Sequence, residues 1–269
     1  MRVALIAPTV LLDHFATTGY HLCLAHVAEL NYVYRAFYRR QAHCGNTVIL
    51  DNGAFENSAS MSFERLAIIA DKIEPQILVL PDVIGSWEAT VGVTLNANAQ
   101  IDLIRGRKPA LMVVPHGRTI RECLKCLSAQ LEVRPSYIAL SRLYQLADAS
   151  RLQLLHEIRR FLRLEGIQFV KGIHLLGFER NLLLLEEFQQ IEGGVPPIIG
   201  IDTAAPFTLA LFGERLNYET PSVSTSVHYR HKPSNYYDFD LGSQSQDTLD
   251  LVKENVSVLV EVARGLNRM

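Results

Sequence analysis

Seven short apolar runs recur along the chain, and each ends in polar, glycine or proline residues. They are VALIAPT (3–9), TVILDNG (47–53), ILVLPDV (77–83), ALMVVPHG (110–117), YIALSRL (137–143), GIHLLGF (172–178) and PIIGIDT (197–203). The runs are continuously apolar and do not alternate with polar residues. This pattern is typical of parallel strands that are buried on both faces.

Helical patterns fill the spaces between these runs. Apolar residues recur at helical spacing in 61–73, 86–104, 118–131, 148–164, 179–191 and 204–213. Strand and helix therefore alternate from about residue 46 to residue 213 without a break in composition, which predicts an α/β fold. A TIM-like (β/α)8 barrel is favoured over an open doubly wound sheet, because no glycine-rich phosphate loop follows the first run and G-x-G-x-x-G is absent.

We expect one barrel domain over residues 1–269, with two segments that break the alternation. Residues 14–45 are aromatic and partly helical in pattern, and 214–246 read as an irregular, tyrosine-rich loop insertion. The best candidate for an eighth strand is 222–230. A last amphipathic helix, 247–266, is expected to pack on the outside of the barrel.

Composition limits the protein's setting. The length of 269 residues and 48% hydrophobic content fit a single large core, while a net charge of −2 gives no overall attraction for polyanions. Four cysteines without a paired framework suggest a reducing compartment. The first residues read as a strand and not as a signal peptide, and no stretch is apolar enough to cross a bilayer. We expect a cytoplasmic protein with no membrane partner.

Carboxylates stand at the ends of three apolar runs: Asp51, Asp82 and Asp202. In a parallel barrel the carboxyl ends of the strands form one concave face, so the three side chains should share it. Three carboxylates in one pocket are electrostatically costly unless a cation or a shared proton offsets the repulsion. The cluster therefore indicates chemistry more than stability.

Two chemistries fit such a cluster. The three aspartates with His116 would suit a hard divalent metal, as in a metal-dependent barrel enzyme that acts on a small molecule. Alternatively, one carboxylate attacks an anomeric carbon while another manages protons. Spacing alone leaves both open. His21 and His26 fall in a helical pattern and His174 in a buried strand, and these three are expected to be structural.

Five motifs, in chain order, resemble the tRNA-guanine transglycosylase superfamily. LDNGAFE resembles the DSGGFQ strand end of that family, LPDV its base-recognising aspartate strand, VVPHG its VQGG, HLLGF its glycine tip, and GIDTAAPF the segment that carries its nucleophile. TGYHL (18–22) also resembles the family's NTYHL. The resemblance covers roughly residues 1–210.

The resemblance implies guanine exchange through a covalent aspartyl-glycosyl intermediate, catalysed without a cofactor or metal. Asp202 would be the nucleophile and Asp51 the general base. The residues implied to bind the substrate base are Asn52, Gly53, Phe55, Asp82, His116, Gly117, Leu176 and Gly177.

Departures from the family narrow the choice of polymer. The chain lacks the C-x-C-x-x-C…His zinc site and the lysine-rich tRNA-binding region, and it resembles most closely the DNA-guanine transglycosylases that insert a 7-deazaguanine. His116 stands where the family has glutamine, and the family's nucleophile lies a few residues beyond the position of Asp202. DNA is therefore the favoured partner, with tRNA as the alternative. The other partners expected are the free 7-deazaguanine base and partner proteins of a modification system.

A nucleic acid needs a local basic or aromatic surface. Tyr229, Arg230, His231 and Lys232 lie in the stretch 228–237, which mixes cations with tyrosines and is the best candidate. The basic stretches 39–43 and 105–108 are further candidates. A non-catalytic base-binding barrel that assists other DNA-modification proteins remains a third alternative.

Overall fold

The chain folds into a TIM-like (β/α)8 barrel, seen here in a computed structural model that describes residues 1–57, 60–142, 150–178, 182–217, 236–238 and 245–265. All recorded strand pairs are parallel. The strands are β1 (Arg2–Leu5), β2 (Tyr20–Leu24), β3 (Thr47–Asp51), β4 (Ile77–Val79), β5 (Ala110–Val113), β6 (Tyr137–Ser141), β7 (Gly172–Leu176) and β8 (Ile198–Thr203). Seven of them coincide with the seven apolar runs.

Helices cover the barrel on its outside. In the described part of the chain they are α1 (Leu12–Phe15), α2 (Ala25–Leu30), α3 (Tyr32–His43), α4 (Ala54–Asn57), α5 (Phe63–Ile73), α6 (Trp87–Ala99), α7 (Ile120–Gln130), α8 (Arg151–Leu164), α9 (Leu182–Gln190), α10 (Ala205–Leu211) and α11 (Gln246–Arg264). Within these helices none combines the length and the apolar character that a bilayer crossing requires.

The eighth strand is not where the sequence pattern placed it. Residues 222–230 lie outside the described residues, and the barrel takes its eighth strand from Tyr20–Leu24. All five residues of β2 are buried, but the strand runs directly into α2 at Ala25. Because no glycine, proline or polar turn separates the two elements, the pattern of 14–45, interpreted as partly helical, gave no separate sign of a strand. His21, predicted to be helical, lies on β2.

The barrel is almost closed between β1 and β2. The sheet order runs β1-β8-β7-β6-β5-β4-β3-β2, so these two strands are its edges. The Thr18 hydroxyl lies 2.6 Å from the Val3 carbonyl oxygen and 3.0 Å from that of Tyr20. One side chain thus bridges the seam that the backbone leaves open.

The C-terminal region packs back onto the barrel. Helix α11 occupies the segment expected for a packing helix and contacts α9, α10 and β1. The buried side chain of Asn255 on this helix donates to the carbonyl oxygens of Pro206 and Glu214, both at 3.1 Å. Because Asn255 also accepts from the Leu216 N–H at 2.7 Å, its amide ties α11 both to α10 and to the segment that follows α10.

A buried histidine on β2 should make the fold sensitive to acid. His21 is 1% exposed and its ring packs edge-on against Phe37 and Tyr38. Burial lowers the pKa of His21 from 6.5 to about 4, against a smaller opposing effect of a hydrogen bond with Gln41. Since the unfolded chain binds this proton first, stability is complete above pH 6.5 and falls as the pH drops towards 4. The expected loss is about 3 kcal/mol.

Urea unfolding between pH 7 and pH 4 measures this effect. We expect His21→Leu to lose less free energy of unfolding over that range than the wild type, and His14→Leu, at an exposed position on α1, to behave like the wild type. A His21→Leu protein with the wild-type pH dependence would show that His21 is not the acid-sensitive group.

Candidate active site

The three aspartates lie at the same end of the barrel. Asp51 is the last residue of β3, Asp82 follows β4, and Asp202 is the penultimate residue of β8. Because the strands are parallel, these positions share the face formed by the carboxyl ends of the strands, which we call the mouth. The aspartates are only 8%, 4% and 3% exposed. Carboxylates this buried need hydrogen-bond donors, and the structure supplies them.

Asp51 faces the barrel interior and is held by its own turn. Leu24 pairs with Asp51, and Tyr20 pairs with Thr47. Because side chains alternate along a strand, Asp51, four residues after Thr47, lies on the same face of the sheet as Tyr20. This face is the interior, since Tyr20 reaches His174 across the barrel. The Gly53 N–H donates to Asp51 Oδ2 at 2.9 Å. Gly53 has φ +74°, a conformation that favours glycine. The Asn-Gly pair thus folds the chain back onto the carboxylate that precedes it.

Asn52 links the first acid to the second. Its Nδ2 donates to the Leu80 carbonyl oxygen at 2.8 Å and to Asp82 Oδ1 at 2.6 Å. Its Oδ1 accepts from the Ala54 N–H at 2.8 Å. The fully bonded amide therefore fixes the loop after β3 against the loop after β4.

His116 completes the Asp82 cluster. His116 Nε2 lies 2.7 Å from Asp82 Oδ2, and both side chains are buried. Both oxygens of Asp82 thus already accept one hydrogen bond from the protein. Since a carboxylate oxygen has two lone pairs, each retains capacity for one more donor. Asp82 can meet a ligand edge that carries two adjacent donors without giving up Asn52 or His116.

Two helices hold these loops from outside. The Thr94 hydroxyl of α6 donates to the Pro81 carbonyl oxygen at 3.1 Å. Gln130 of α7 donates to Thr94 Oγ1 at 3.1 Å and to the Val114 carbonyl oxygen at 3.3 Å. Thr94 and Gln130 are completely buried. The backbone beside Asp82 and His116 is therefore anchored to both helices, and this was not visible from the sequence.

Asp202 has a separate set of donors. His174 Nε2 lies 2.9 Å from Asp202 Oδ1, and the Gly177 N–H donates to the same oxygen at 3.0 Å. The hydroxyl of Tyr20 lies 2.7 Å from His174 Nδ1. Strands β2 and β7 are separated by β8 and β1, so Tyr20 and His174 meet through the barrel interior.

Sequence reasoning missed the part that His174 and Tyr20 play. His174 was expected to be a structural histidine, and it is indeed buried with both ring nitrogens bonded. Its partner, however, is a mouth aspartate. The sequence did carry one signal, because a polar residue inside an apolar strand needs a polar partner. In the structure His174 pairs with Gly200, so it lies on the same face of the sheet as Asp202, two residues further along β8.

An aromatic and cationic pair lies on the rim. Phe55 is 43% exposed, and the guanidinium carbon of Arg142 lies 4.7 Å from the centroid of its ring. A Cβ on Gly177, where φ is +65°, would lie 2.9 Å from Arg142 Cδ. Phe55 follows β3 while Arg142 and Gly177 follow β6 and β7. The Arg142 side chain therefore runs from the Asp202 side of the mouth towards the Asp51 side.

The remaining residues implied to bind a base have mixed placements. Leu176, the last residue of β7, is half-buried, and its carbonyl oxygen accepts from Arg151 Nη2 at 2.9 Å. A Cβ on Gly117 would lie 2.6 Å from Glu122 Cβ and 2.7 Å from the Cys123 nitrogen. The structure thus gives Gly117 a packing reason, the close approach of α7, and its expected approach to a base stays a prediction.

The expected nucleic-acid surface is only partly described. Tyr229, Arg230, His231 and Lys232 lie outside the described residues. Tyr236, at the end of the same stretch, is 1% exposed and donates to the Ile6 carbonyl oxygen at 2.5 Å. It belongs to the core and offers no surface for a base.

The two other basic stretches lie at the far end of the barrel. Residues 39–43 end α3 and lead into β3, and 105–108 lead into β5, so both lie where strands begin. Lys108 Nζ is 3.2 Å from Asp102 Oδ1, and Asp71 accepts from the Arg105 N–H at 2.9 Å. A polymer engaged at the mouth would not meet them directly.

The metal alternative gains no support from the described side chains. Among them, no group of three or more His, Cys, Asp or Glu has the spacing of a metal site. Cys123 and Cys126 are buried on α7, where burial raises their pKa values to about 12 and about 11. Cys126 Sγ instead accepts from the His116 N–H at 3.4 Å. A metal binds the thiolate, so these thiols are poor ligands.

Comparison with known proteins adds no family to this geometry. No protein-family model matches the chain, and no curated protein matches it. The functional information lies in the mouth, where three buried aspartates are each held by their own hydrogen-bond donors.

Proposed function

We propose that this protein is a base-exchange glycosyltransferase, a pentosyltransferase that replaces guanine in a nucleic acid by a 7-deazaguanine. DNA is the favoured polymer, and the intermediate is a covalent aspartyl-glycosyl ester. The observation that carries the proposal is the bonding of Asp202. Both of its donors lie on Oδ1, and among the described residues none donates to Oδ2. A buried carboxylate with one oxygen fixed and the other available is suited to nucleophilic attack.

In the first displacement, Asp202 Oδ2 attacks C1′ of the target nucleotide. The C1′–N9 bond breaks, its electron pair leaves with guanine, and guanine takes up a proton from solvent. The product is a glycosyl ester on Asp202. Such a double displacement needs a second carboxylate for proton transfer, which Asp51 supplies at the same mouth.

In the second displacement, the nitrogen of the incoming 7-deazaguanine attacks C1′ from the face that guanine left. Its proton passes to Asp51 and then to solvent, while the C1′–Oδ2 electron pair returns to Asp202. Two inversions restore the original configuration at C1′.

Recognition of the base falls to the Asp82 cluster. The N1–H and the exocyclic amine of a guanine-like base are adjacent donors, and a carboxylate offers two adjacent acceptors. Asp82 keeps one further acceptor site on each oxygen beside Asn52 and His116. Phe55 on the rim offers an exposed ring on which a base could stack.

Arg142 is the described rim cation that we expect to contact the polymer. A base inside the mouth brings its flanking phosphates to the rim, where Arg142 lies over Phe55. Replacing Arg142 with glutamine should weaken binding of single-stranded DNA and reduce the magnitude of the slope of log K against log[salt] by about 0.7. Fluorescence anisotropy over a range of salt concentrations measures both quantities.

Arg107→Gln is the matched control, because Arg107 is also exposed but lies at the far end of the barrel. Its slope should equal that of the wild type. Equal slopes for the two variants would contradict a role of Arg142 in binding the polymer.

The sequence resemblance supports the same reaction, since its five motifs fall on or directly after β3, β4, β5, β7 and β8. The test is incubation of the protein with guanine-containing DNA or tRNA and a labelled 7-deazaguanine. We expect label in DNA. Label in tRNA alone would change the polymer, and DNA binding without incorporation of label would favour a non-catalytic base-binding barrel.

A further inference from the structure

A buried chain of hydrogen bonds runs from Asp202 down the barrel axis. Asp202 Oδ1 bonds to His174 Nε2 at 2.9 Å, and His174 Nδ1 bonds to the Tyr20 hydroxyl at 2.7 Å. His174 and Tyr20 are completely buried. These hydrogen bonds therefore connect the mouth to the lower part of the barrel without contact with solvent.

The barrel is built to accommodate Tyr20. A Cβ on Gly200 would lie 2.4 Å from Tyr20 Cε1, so only glycine leaves room for the ring. On the ring face, the guanidinium carbon of Arg2 lies 4.2 Å from the centroid. Arg2 is itself fixed by a 3.2 Å bond from Nη1 to Thr47 Oγ1. Tyr20 is thus held by both neighbours, which fixes the position of its hydroxyl.

The direction of each hydrogen bond follows from Asp202. An ionised carboxylate only accepts, so His174 Nε2 carries the hydrogen and donates it to Asp202 Oδ1. In neutral imidazole Nδ1 is then an acceptor, and the Tyr20 hydroxyl donates to it. Burial raises the pKa of the Tyr20 phenol far above its ordinary range, so the hydroxyl keeps the proton that it donates. Tyr20 thus favours the tautomer of His174 that can bond the carboxylate.

We propose that Tyr20 and His174 are positioning residues for Asp202, and that they favour its free carboxylate over its glycosyl ester. The inference rests on the proposed function. When the C1′–Oδ2 bond breaks in the second displacement, the returning electron pair spreads onto Oδ1, where His174 and the Gly177 N–H donate. Hydrogen bonds to a carboxylate are stronger than those to a neutral carbonyl. The hydrogen bonds that Tyr20 and His174 maintain therefore help the ester to break down.

Histidine tautomers can be read directly from ¹⁵N spectra of histidine-labelled protein, with His174 assigned by its loss in His174→Gln. We expect the Nε2–H tautomer in the wild type, with Nδ1 shifted as a hydrogen-bond acceptor. In Tyr20→Phe the Nδ1 resonance should move, because its donor is gone. A wild-type Nδ1–H tautomer, or unchanged resonances in Tyr20→Phe, would contradict the hydrogen bonds from Tyr20 through His174 to Asp202.

The kinetics of base exchange test the positioning role of Tyr20 and His174. Tyr20→Phe and His174→Leu should slow base exchange about tenfold, the effect of one lost hydrogen bond, and raise the steady-state fraction of covalent enzyme–DNA. Glutamine presents an acceptor to Tyr20 and a donor to Asp202, so His174→Gln should retain most of the rate. Tyr38→Phe is the control, since Tyr38 is a buried tyrosine on α3, outside the barrel interior and apart from Tyr20, His174 and Asp202.

The two experiments distinguish failure of the proposed function from failure of the positioning role. Absence of exchange in the wild type would count against the proposed function, and the ¹⁵N spectra would still decide whether the hydrogen bonds exist. Exchange in the wild type with no change of rate or covalent fraction in Tyr20→Phe would overturn the positioning role. If Tyr20→Phe does not fold, the comparison of His174→Gln with His174→Leu decides the same point.

Discussion

Replacing Asp202 with asparagine is expected to abolish base exchange and to leave no covalent enzyme–DNA species. An amide is not a nucleophile at carbon, and loss of an essential nucleophile costs about 10⁴-fold or more in rate. The fold should persist, because the amide oxygen can still accept from His174 and from the Gly177 N–H as Oδ1 does now. Release of guanine and incorporation of labelled base measure the two halves of the reaction.

Asp102→Asn is a control for the chemical change itself. Asp102 has an exposed carboxylate at the far end of the barrel, and its variant should exchange bases at the wild-type rate. Exchange by Asp202→Asn at a rate close to that of the wild type would show that another group attacks C1′.

Replacing Asp51 with alanine should have the second largest effect and a different signature. Without its proton acceptor, the incoming base attacks C1′ slowly, and general-base catalysis is worth about 10²–10⁴-fold. The first displacement continues, so the glycosyl ester on Asp202 should accumulate. Denaturing electrophoresis of the enzyme with labelled DNA detects the accumulated species.

Asp51→Asn separates chemistry from loop structure. An amide oxygen at position 51 can still accept from the Gly53 N–H, which holds the turn in the wild type. We expect this variant to trap the ester as the alanine variant does. Trapping by alanine alone would mean that the turn, and not proton transfer, limits the second displacement.

Much of the barrel was predictable because most of its strands have a recognisable residue pattern. Strands β3 to β8 each combine a buried apolar run with a polar or glycine tip, and the tips point to the mouth by virtue of parallel pairing. Strand β2 has no such mark, since it passes into α2 without a turn. The pattern therefore placed the eighth strand in a later segment.

The site was predictable only as far as its position along each strand. Asp51, Asp82 and Asp202 were identified because they stand at the ends of apolar runs, and they do share one end of the barrel. Contacts between strands distant in the chain carry no local signal. The bond between Tyr20 and His174 spans 154 residues, and the rim pair of Phe55 and Arg142 joins loops on separate sides of the mouth.

Glycine positions show the same limit. Gly177 and Gly117 were both expected to allow a close approach to a base, since a glycine at a strand tip has that use. The structure distinguishes them, because Gly177 adopts positive φ and donates to Asp202, whereas Gly117 makes room for the first turn of α7. Only the neighbouring element, which lies elsewhere in the chain, tells the two cases apart.

Peptide mapping of the covalent species formed by Asp51→Ala tests the central claim most directly. The variant would be incubated with guanine-containing DNA, denatured, digested with protease and nuclease, and analysed by mass spectrometry. We predict a deoxyribosyl adduct on the peptide that contains Asp202, with guanine released in equal amount. Release of guanine without an adduct, or an adduct on a different residue, would contradict the assignment of Asp202 as the nucleophile.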